Sequence, residues 1–262
     1  MDETRQLAYS RIGNADSDTT LVFLHGSTMT KEGMLPLAQQ FGDYNCVMYD
    51  LTGHGESAGE EPAEIWQFAE AVEESLLRMQ REGLVTDRII LSGYSMGGAI
   101  TCELAYRKRV RLAGIVILSS GADLKDYTPM VDDLKKMPAE QFRTDEIFPY
   151  LFGENTDTPQ VDRERIMRQF SQTKVADTVG YGDLMVSNRY VHWEACEEIT
   201  IPALLIHGSD DRIVLPMAAV ETWRRIRGSE LLMIPYKGHA AIYEDMDLVR
   251  TKILSFIRHV NE

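Results

Sequence analysis

Three kinds of side chain in this sequence could together carry out nucleophilic catalysis, and each follows an apolar run. Ser95 lies in RIILSGYSMGGAIT (88–101), His239 in IPYKGHAAIY (234–243), and Asp210 and Asp211 in HGSDDRIVLP (207–216). A serine hydroxyl is a poor nucleophile near neutral pH unless a base removes its proton. A carboxylate improves that base by fixing its tautomer and stabilising its cation. The three segments therefore predict a Ser-His-Asp site.

The residues around Ser95 favour a strand, a sharp turn and then a helix. An apolar β-branched run precedes the turn, Gly93 and Gly97 lie two residues on either side of the serine, and small residues follow. Such a turn holds its central residue in a strained backbone conformation that only small neighbours tolerate, and it presents the hydroxyl above the sheet. Ser95 is thereby placed at a helix N-terminus, where free N–H groups favour a developing oxyanion.

Alternating apolar runs and amphipathic segments predict the elements that position these residues. The strand-like runs are residues 7–12, 19–24, 45–51, 89–91, 112–118, 201–206 and 231–234. Helical spacing of apolar residues marks 31–41, a segment from Pro62 to Gly83, the residues after Ser95, 217–226 and 249–260. Strands separated by helices predict an α/β fold with a mostly parallel sheet and helices on both faces. His239 and the two aspartates follow strands, at the carboxyl ends where parallel sheets gather their ligands.

The segment 122–198 has a different pattern. Strand-like runs are absent from it, and prolines at 129, 138, 149 and 159 separate short amphipathic stretches. We predict an inserted helical cap at 122–198 on a core formed by 1–121 and 199–262. Large apolar side chains are frequent in the cap, and most must pack against one another and the sheet. A cap over strand ends still makes a covered, mostly apolar pocket, which favours an apolar or aromatic acyl substrate.

Composition narrows the class of protein. The 262 residues include 27 Lys and Arg against 41 Asp and Glu, a formal net charge of −14, which argues against nucleic acid or an anionic membrane as the main partner. Cys46, Cys102 and Cys196 show no Cys-x-x-Cys spacing, which predicts reduced thiols in the core. The N-terminal residues lack signal-peptide features and no segment has the apolar length of a membrane span, so we expect a soluble, cytoplasmic protein.

No cofactor and no metal is expected from the sequence, because no group of His, Cys, Asp and Glu has metal-ligand spacing. Glu70, Glu73 and Glu74 lie opposite the apolar face of one predicted helix, and we interpret them as a solvated helix face.

Five segments, in this order along the chain, resemble the motifs of the α/β-hydrolase fold. They are LVFLHGS (21–27), YDLTGHGES (49–57), GYSMG (93–97), HGSDDRIVLP (207–216) and KGH (237–239). The resemblance covers nearly the whole chain, and it implies that Ser95 is the nucleophile and His239 the base. Aligning the acid loop as Gly-x-x-Asp implies Asp211 as the third member, with Asp210 as the alternative. The implied oxyanion-hole donors are the backbone N–H groups of Ser27 and Met96.

The resemblance also predicts positions for the remaining histidines inside the motifs. We expect His25 to brace the oxyanion loop, His54 to fix its Gly-His-Gly turn and His207 to be packed. His192, next to Trp193, is expected to be a partly exposed surface residue, although a position facing the pocket is the alternative.

The implied reaction is two-step acyl transfer on a small-molecule ester, as in the monoacylglycerol-lipase and feruloyl-esterase types. In these types the Gly-His-Gly-x-Ser turn is also followed by x-Gly, which here is Ala58-Gly59. One alternative is a carbon–carbon bond hydrolase or lyase of the same fold. The segment GYSMGG resembles the menaquinone-pathway member, but Ala99 stands where that member has arginine, which counts against it. Another alternative is a non-catalytic relative that binds a small molecule, and an intact Ser-His-Asp set argues against it.

Overall fold

A seven-stranded sheet forms the centre of the computed structural model, which describes residues 7–57, 59–60 and 62–261. The strands are β1 (Tyr9–Gly13), β2 (Thr20–Leu24), β3 (Asn45–Tyr49), β4 (Ile89–Tyr94), β5 (Leu112–Leu118), β6 (Ala203–Gly208) and β7 (Glu230–Ile234). Their order across the sheet is β1-β3-β2-β4-β5-β6-β7, and every neighbouring pair is parallel except β1 and β3. The predicted mostly parallel sheet is confirmed.

The central strands are continuous apolar runs because both of their faces are covered. Every residue of β2, β3, β4 and β6 is buried, whereas the edge strands β1 and β7 are mostly half-buried. Burial on two faces removes the alternation of polar and apolar residues that a one-sided sheet would show. The register pairs Tyr94 with Leu118 and Gly208 with Ile234, so β4 to β7 end at one edge of the sheet.

Helices flank this sheet. Those outside the segment between β5 and β6 are α1 (Leu35–Ala38), α2 (Ile65–Arg81), α3 (Met96–Arg107), α8 (Met217–Arg225), α9 (Ala241–Glu244) and α10 (Met246–Asn261). The predicted helix at 31–41 is instead a 3₁₀ turn (Lys31–Met34), then α1, then a second 3₁₀ turn (Gln39–Phe41). Pro36 explains the break, because proline has no N–H to donate and its ring clashes with the carbonyl one turn earlier.

The predicted solvated face of α2 is wrong at Glu73, although Glu74 is exposed and Glu70 is half-buried. Glu73 is fully buried, and its carboxylate accepts from Arg107 Nε at 3.1 Å and from Arg109 Nη1 at 2.7 Å. Both arginines come from the end of α3 and the loop after it, and α3 packs against α2. A carboxylate leaves water only with such cationic partners, so the two arginines account for the burial of a residue expected to be solvated.

Short helices fill the sequence between β5 and β6. They are α4 (Pro129–Leu134), 3₁₀ turns at Ala139–Gln141 and Thr144–Tyr150, α5 (Gln160–Thr173), α6 (Asp177–Ser187) and α7 (Trp193–Glu198). Several aromatic side chains between β5 and β6 are buried in the core, as expected for a segment packed onto the sheet: Phe142, Phe148, Phe152 and Phe170. For brevity we call this segment the cap; its bounds at 122–198 remain our prediction.

The three cysteines are free and buried, as predicted. Within the part of the chain that the structure describes, no helix combines the length and the apolar character needed to cross a membrane.

Candidate active site

Ser95 lies on the strained turn that its sequence context predicts. Its φ of 53° and ψ of −118° are outside the regions that non-glycine residues normally occupy. A Cβ atom on Gly97 would lie 2.5 Å from the carbonyl oxygen of Leu24, and one on Gly93 would collide with the carbonyl oxygen of Gly97. The two glycines are therefore required for β2, β4 and α3 to approach closely enough to form the turn.

Ser95, His239 and Asp211 form an unbroken chain of hydrogen-bond contacts. His239 Nε2 lies 3.0 Å from Ser95 Oγ, and His239 Nδ1 lies 2.8 Å from Asp211 Oδ2. The three side chains follow β4, β7 and β6, whose carboxyl ends share one edge of the sheet. All three are buried, Ser95 being the most exposed at 9%. In this geometry Nδ1–H donates to the carboxylate, so Nε2 is free to accept the serine proton.

The Asp211 carboxylate is held ionised by its surroundings. One oxygen accepts from the backbone N–H groups of Ile213 at 2.9 Å and Val214 at 3.0 Å. The other lies 2.8 Å from His239 Nδ1 and 3.1 Å from His207 Nε2. Burial alone would raise the pKa of Asp211, but the positive charge of His239 and the hydrogen bonds from both histidines outweigh it and lower the pKa to about 2.

Asp210 points away from the histidine and instead fastens the cap. Its Oδ2 accepts from the backbone N–H of Asn155 at 3.1 Å. On the other side of Asp211, the Arg212 guanidinium donates to the carbonyl oxygen of Phe152. The two neighbours of Asp211 thus bind cap residues 152–155, while Asp211 alone reaches the active-site histidine. The structure brings Asp211, and not Asp210, into contact with that histidine.

The same cap segment contacts the loop that carries His239. Ala240 N donates to the carbonyl oxygen of Leu151 at 2.8 Å, and a Cβ on Gly238 would lie 2.5 Å from that oxygen. The Tyr94 hydroxyl donates to the carbonyl oxygen of His239 at 3.2 Å, and its ring lies 5.2 Å from the imidazole. Contacts from the cap and from the end of β4 therefore fix the histidine from two sides.

The loop after β2 passes directly over the serine. A Cβ on Gly26 would lie 3.1 Å from Ser95 Cβ. The fully buried His25 ring fixes this loop to the end of β3: Nδ1 contacts the Gly26 carbonyl oxygen at 2.8 Å, and Nε2 accepts from Leu51 N at 3.1 Å. Burial first and the charge of His54 second lower the pKa of His25 to about 3, which keeps this ring neutral. The predicted brace is present.

The two predicted oxyanion donors flank this position. Met96 is the first residue of α3, so its N–H precedes the intrahelical hydrogen bonds and points out of the helix N-terminus. Ser27 follows Gly26 directly, is half-buried, and its hydroxyl lies 3.2 Å from the hydroxyl of Ser187 in α6. The assignment of these two amides as an oxyanion hole remains a prediction that this placement supports.

Two further histidines occupy the structural positions expected for them. His207 is fully buried, and its Nε2 lies 2.9 Å from the carbonyl oxygen of Val214 as well as close to Asp211. His192 is half-buried and its Nδ1 contacts Glu103 Oε2 at 2.7 Å. The ring of His192 therefore pairs with a carboxylate of α3 rather than with any member of the Ser95 site.

Sequence reasoning missed one buried carboxylate near the site, that of Asp183 in α6. Its Oδ2 accepts from Thr28 N at 2.8 Å and lies 2.9 Å from His54 Nε2. His54 also contacts the Thr52 carbonyl oxygen at 3.0 Å, which fixes the turn as expected. The available signal was an acidic residue inside the otherwise small and apolar stretch VGYGDLMV (179–186).

The parallel sheet, a serine on a strained turn after β4, and an aspartate–histidine pair after β6 and β7 together define an α/β hydrolase. A family model described as serine aminopeptidase, S33, matches residues 15–245, and the chain belongs to that family.

Individual relatives carry the names of different hydrolases. A proline iminopeptidase of Saccharolobus solfataricus is 24% identical over 273 residues, covering 93% of this chain and 86% of the relative. A pimeloyl-[acyl-carrier protein] methyl ester esterase of Nitrosospira multiformis is 27% identical over 265 residues, covering 91% and 94%. The crystal structure of a lipase-esterase related protein from Clostridium acetobutylicum is 25% identical with a TM-score of 0.83, covering 95% and 99%. The names of these relatives thus include both a peptidase and esterases.

Proposed function

We propose that this protein hydrolyses a small-molecule carboxylic ester through a covalent acyl-enzyme. The observation that carries the proposal is the contact chain from Ser95 Oγ through His239 to Asp211, with distances of 3.0 Å and 2.8 Å. These lengths allow a proton to pass from the serine to the imidazole while the carboxylate stabilises the resulting cation.

The reaction follows from the roles of these groups. His239 removes the proton of Ser95, whose oxygen attacks the ester carbonyl and forms a tetrahedral intermediate. The backbone N–H groups of Ser27 and Met96 stabilise the oxyanion, and His239 then protonates the leaving alcohol. Water, deprotonated by the same histidine, attacks the acyl-enzyme and releases the acid and the free serine.

The preference for an apolar or aromatic acyl group is supported by the cap. Many of its partly buried side chains are large and apolar: Tyr127, Met130, Leu134, Met137, Met167, Tyr181, Met185 and Trp193. Side chains of this kind around a pocket would bury an acyl chain and exclude water from the intermediate. The esterase and lipase-esterase names among the relatives agree with an ester substrate.

Hydrolysis of p-nitrophenyl esters of increasing acyl length, for the wild type beside Ser95→Ala, tests the proposal. The expected result is turnover by the wild type only. Its kcat/KM should rise with acyl length to a maximum, and the acyl length at that maximum indicates the length of the acyl pocket. The p-nitroanilide of proline, assayed in parallel, distinguishes the peptidase alternative, because a higher kcat/KM for the anilide would contradict an esterase.

A fluorophosphonate provides the second measurement. It should phosphonylate Ser95, as located by mass spectrometry, and leave Ser95→Ala unlabelled. A folded wild type that neither hydrolyses any ester nor labels at Ser95 would contradict acyl transfer and favour a carbon–carbon lyase or a binding role.

A further inference from the structure

One face of the cap helix α6 lies on the loop that carries Ser27. Gly180, Asp183 and Ser187 are spaced i, i+3 and i+7, which places them on one side of the helix. A Cβ on Gly180 would lie 3.0 Å from Thr28 Cγ2, the Asp183 carboxylate accepts from Thr28 N at 2.8 Å, and the Ser187 hydroxyl reaches Ser27. The helix therefore contacts the loop immediately beside the proposed oxyanion donor.

The backbone of the cap also pairs with this loop. Val175 N donates to the carbonyl oxygen of Thr28 at 3.0 Å, and Thr30 N donates to that of Thr173 at 2.9 Å. Thr28 itself has a φ of 67°, a left-handed conformation that is unfavourable for a β-branched residue. A strained residue keeps such a conformation only when its surroundings hold it, and both backbone groups of Thr28 are held by the cap.

Asp183 joins this loop to the Gly-His-Gly turn. Its side chain and that of His54 are both fully buried. The two ring nitrogens of His54 lie beside oxygen atoms, the Thr52 carbonyl oxygen at 3.0 Å and Asp183 Oδ2 at 2.9 Å. Among the described residues the other oxygen of Asp183 has no hydrogen-bond partner. One carboxylate oxygen thus holds the loop and the turn together.

We infer that Asp183 is a positioning residue for the oxyanion hole. It touches no reacting atom; it acts by fixing the peptide of Thr28, which is joined directly to Ser27. If Asp183 is removed, the peptide between Ser27 and Thr28 is no longer held, and the loop can shift at Ser27 and move its N–H away from the developing oxyanion. The inference deepens the proposed function and rests on it, because it assigns the cap helix a part in assembling the same site. Catalysis then requires the cap helix α6 to be docked.

Steady-state kinetics of Asp183→Ala on a p-nitrophenyl ester turned over by the wild type tests this inference. Losing one oxyanion donor lowers kcat by about 10²- to 10³-fold, so displacing one should lower it by about tenfold or more. KM should change by less than about twofold, because the interaction is made in the transition state. Asp183→Asn, which offers a carbonyl oxygen to the Thr28 amide, should restore most of kcat.

Asp177→Ala is the matched control, since Asp177 lies on the same helix and its carboxylate accepts from Thr144 N at 3.0 Å within the cap. It should lower the Tm without changing kcat by more than about twofold. A folded Asp183→Ala whose kcat equals that of the control, or whose loss is entirely in KM, would overturn the inference. If Asp183→Ala does not fold, Asp183→Ser, which leaves room for water but cannot reach Thr28, is judged by the same result. Absence of ester turnover and of Ser95 labelling in the wild type identifies failure of the proposed function itself.

Discussion

A buried aspartate–histidine pair at the strand ends can be compared with another that lies between the cap and the core. Asp211 pairs with His239 at 2.8 Å, and Asp183 pairs with His54 at 2.9 Å. The two pairs differ in the group that contacts the second nitrogen of the histidine ring, the nitrogen that does not face the aspartate. His239 Nε2 meets the Ser95 hydroxyl, which can give up a proton, whereas His54 Nδ1 meets the Thr52 carbonyl oxygen, which can only accept one. The partner on the far nitrogen thus separates a pair that can transfer a proton from one that can only hold two segments together.

The two carboxylates also differ in how their oxygens are satisfied. Asp211 uses both, one on the backbone N–H groups of Ile213 and Val214 and one on histidines. Asp183 makes its hydrogen bonds through a single oxygen. The Asp211 carboxylate is held by backbone amides of its own loop, whereas the contacts of the Asp183 carboxylate form only when the cap is docked on the core.

The largest effect is expected where the strand-end pair meets the nucleophile. Ser95→Ala and His239→Ala should each lower kcat for ester hydrolysis by on the order of 10⁶-fold, because either change removes the deprotonated serine. The double variant should lose no more than either single one, since the two residues act as a unit. Losses that multiply in the double variant, measured by steady-state kinetics, would show that His239 does not act through Ser95.

The next effect separates the two neighbouring aspartates. Asp211→Asn should lower kcat by about 10⁴-fold, because an amide no longer holds the imidazole in the tautomer that accepts from serine. Asp210→Asn should stay within about threefold of the wild type, since the Asp210 carboxylate accepts from the cap backbone at Asn155 and not from His239. The reverse order of these losses in the same ester assay would assign the carboxylate role to Asp210.

Much of the strand-end pair could be predicted from the sequence because its determinants are local. Ser95 lies between glycines two residues away, and Asp211 binds amides two and three residues further on. A short motif encodes such geometry wherever the loop sits in the fold. The sheet was predictable for a related reason, since burial on both faces leaves continuous apolar runs.

The cap–core pair was not predictable, because its determinants are distant in sequence. Asp183 binds Thr28 and His54, which are 155 and 129 residues away, and only the docking of α6 brings them together. Glu73 was assigned to solvent for the same reason: its partners Arg107 and Arg109 belong to the neighbouring helix and the loop after it. Helical periodicity shows which face is polar but not which ions from elsewhere cover it.

A smaller effect concerns acid stability. The folded-state pKa of Asp211 is about 2, below its ordinary value of 3.8. The unfolded chain therefore binds more protons between these values, so the stabilisation is complete above about pH 4 and is lost as the pH falls through 2. The lowered pKa contributes about 2 kcal/mol to the free energy of unfolding. The free energies of unfolding of the wild type and Asp211→Asn, measured in urea, should therefore differ by about 2 kcal/mol less at pH 2 than at pH 5. A constant difference would contradict it.

The smallest effect is expected from His54→Gln, because the glutamine carboxamide can donate a hydrogen bond although it cannot take up a proton. His54→Gln can still donate to Asp183, so kcat should remain within about tenfold of the wild type, the Thr28 peptide keeping its place. His239→Gln is the matched control, and it should be as inactive as His239→Ala, because hydrogen bonding alone cannot activate a serine. Equal losses of kcat in the two glutamine variants would show that the His54–Asp183 pair also transfers protons. That result would contradict the purely structural role inferred from the contact of His54 with Thr52.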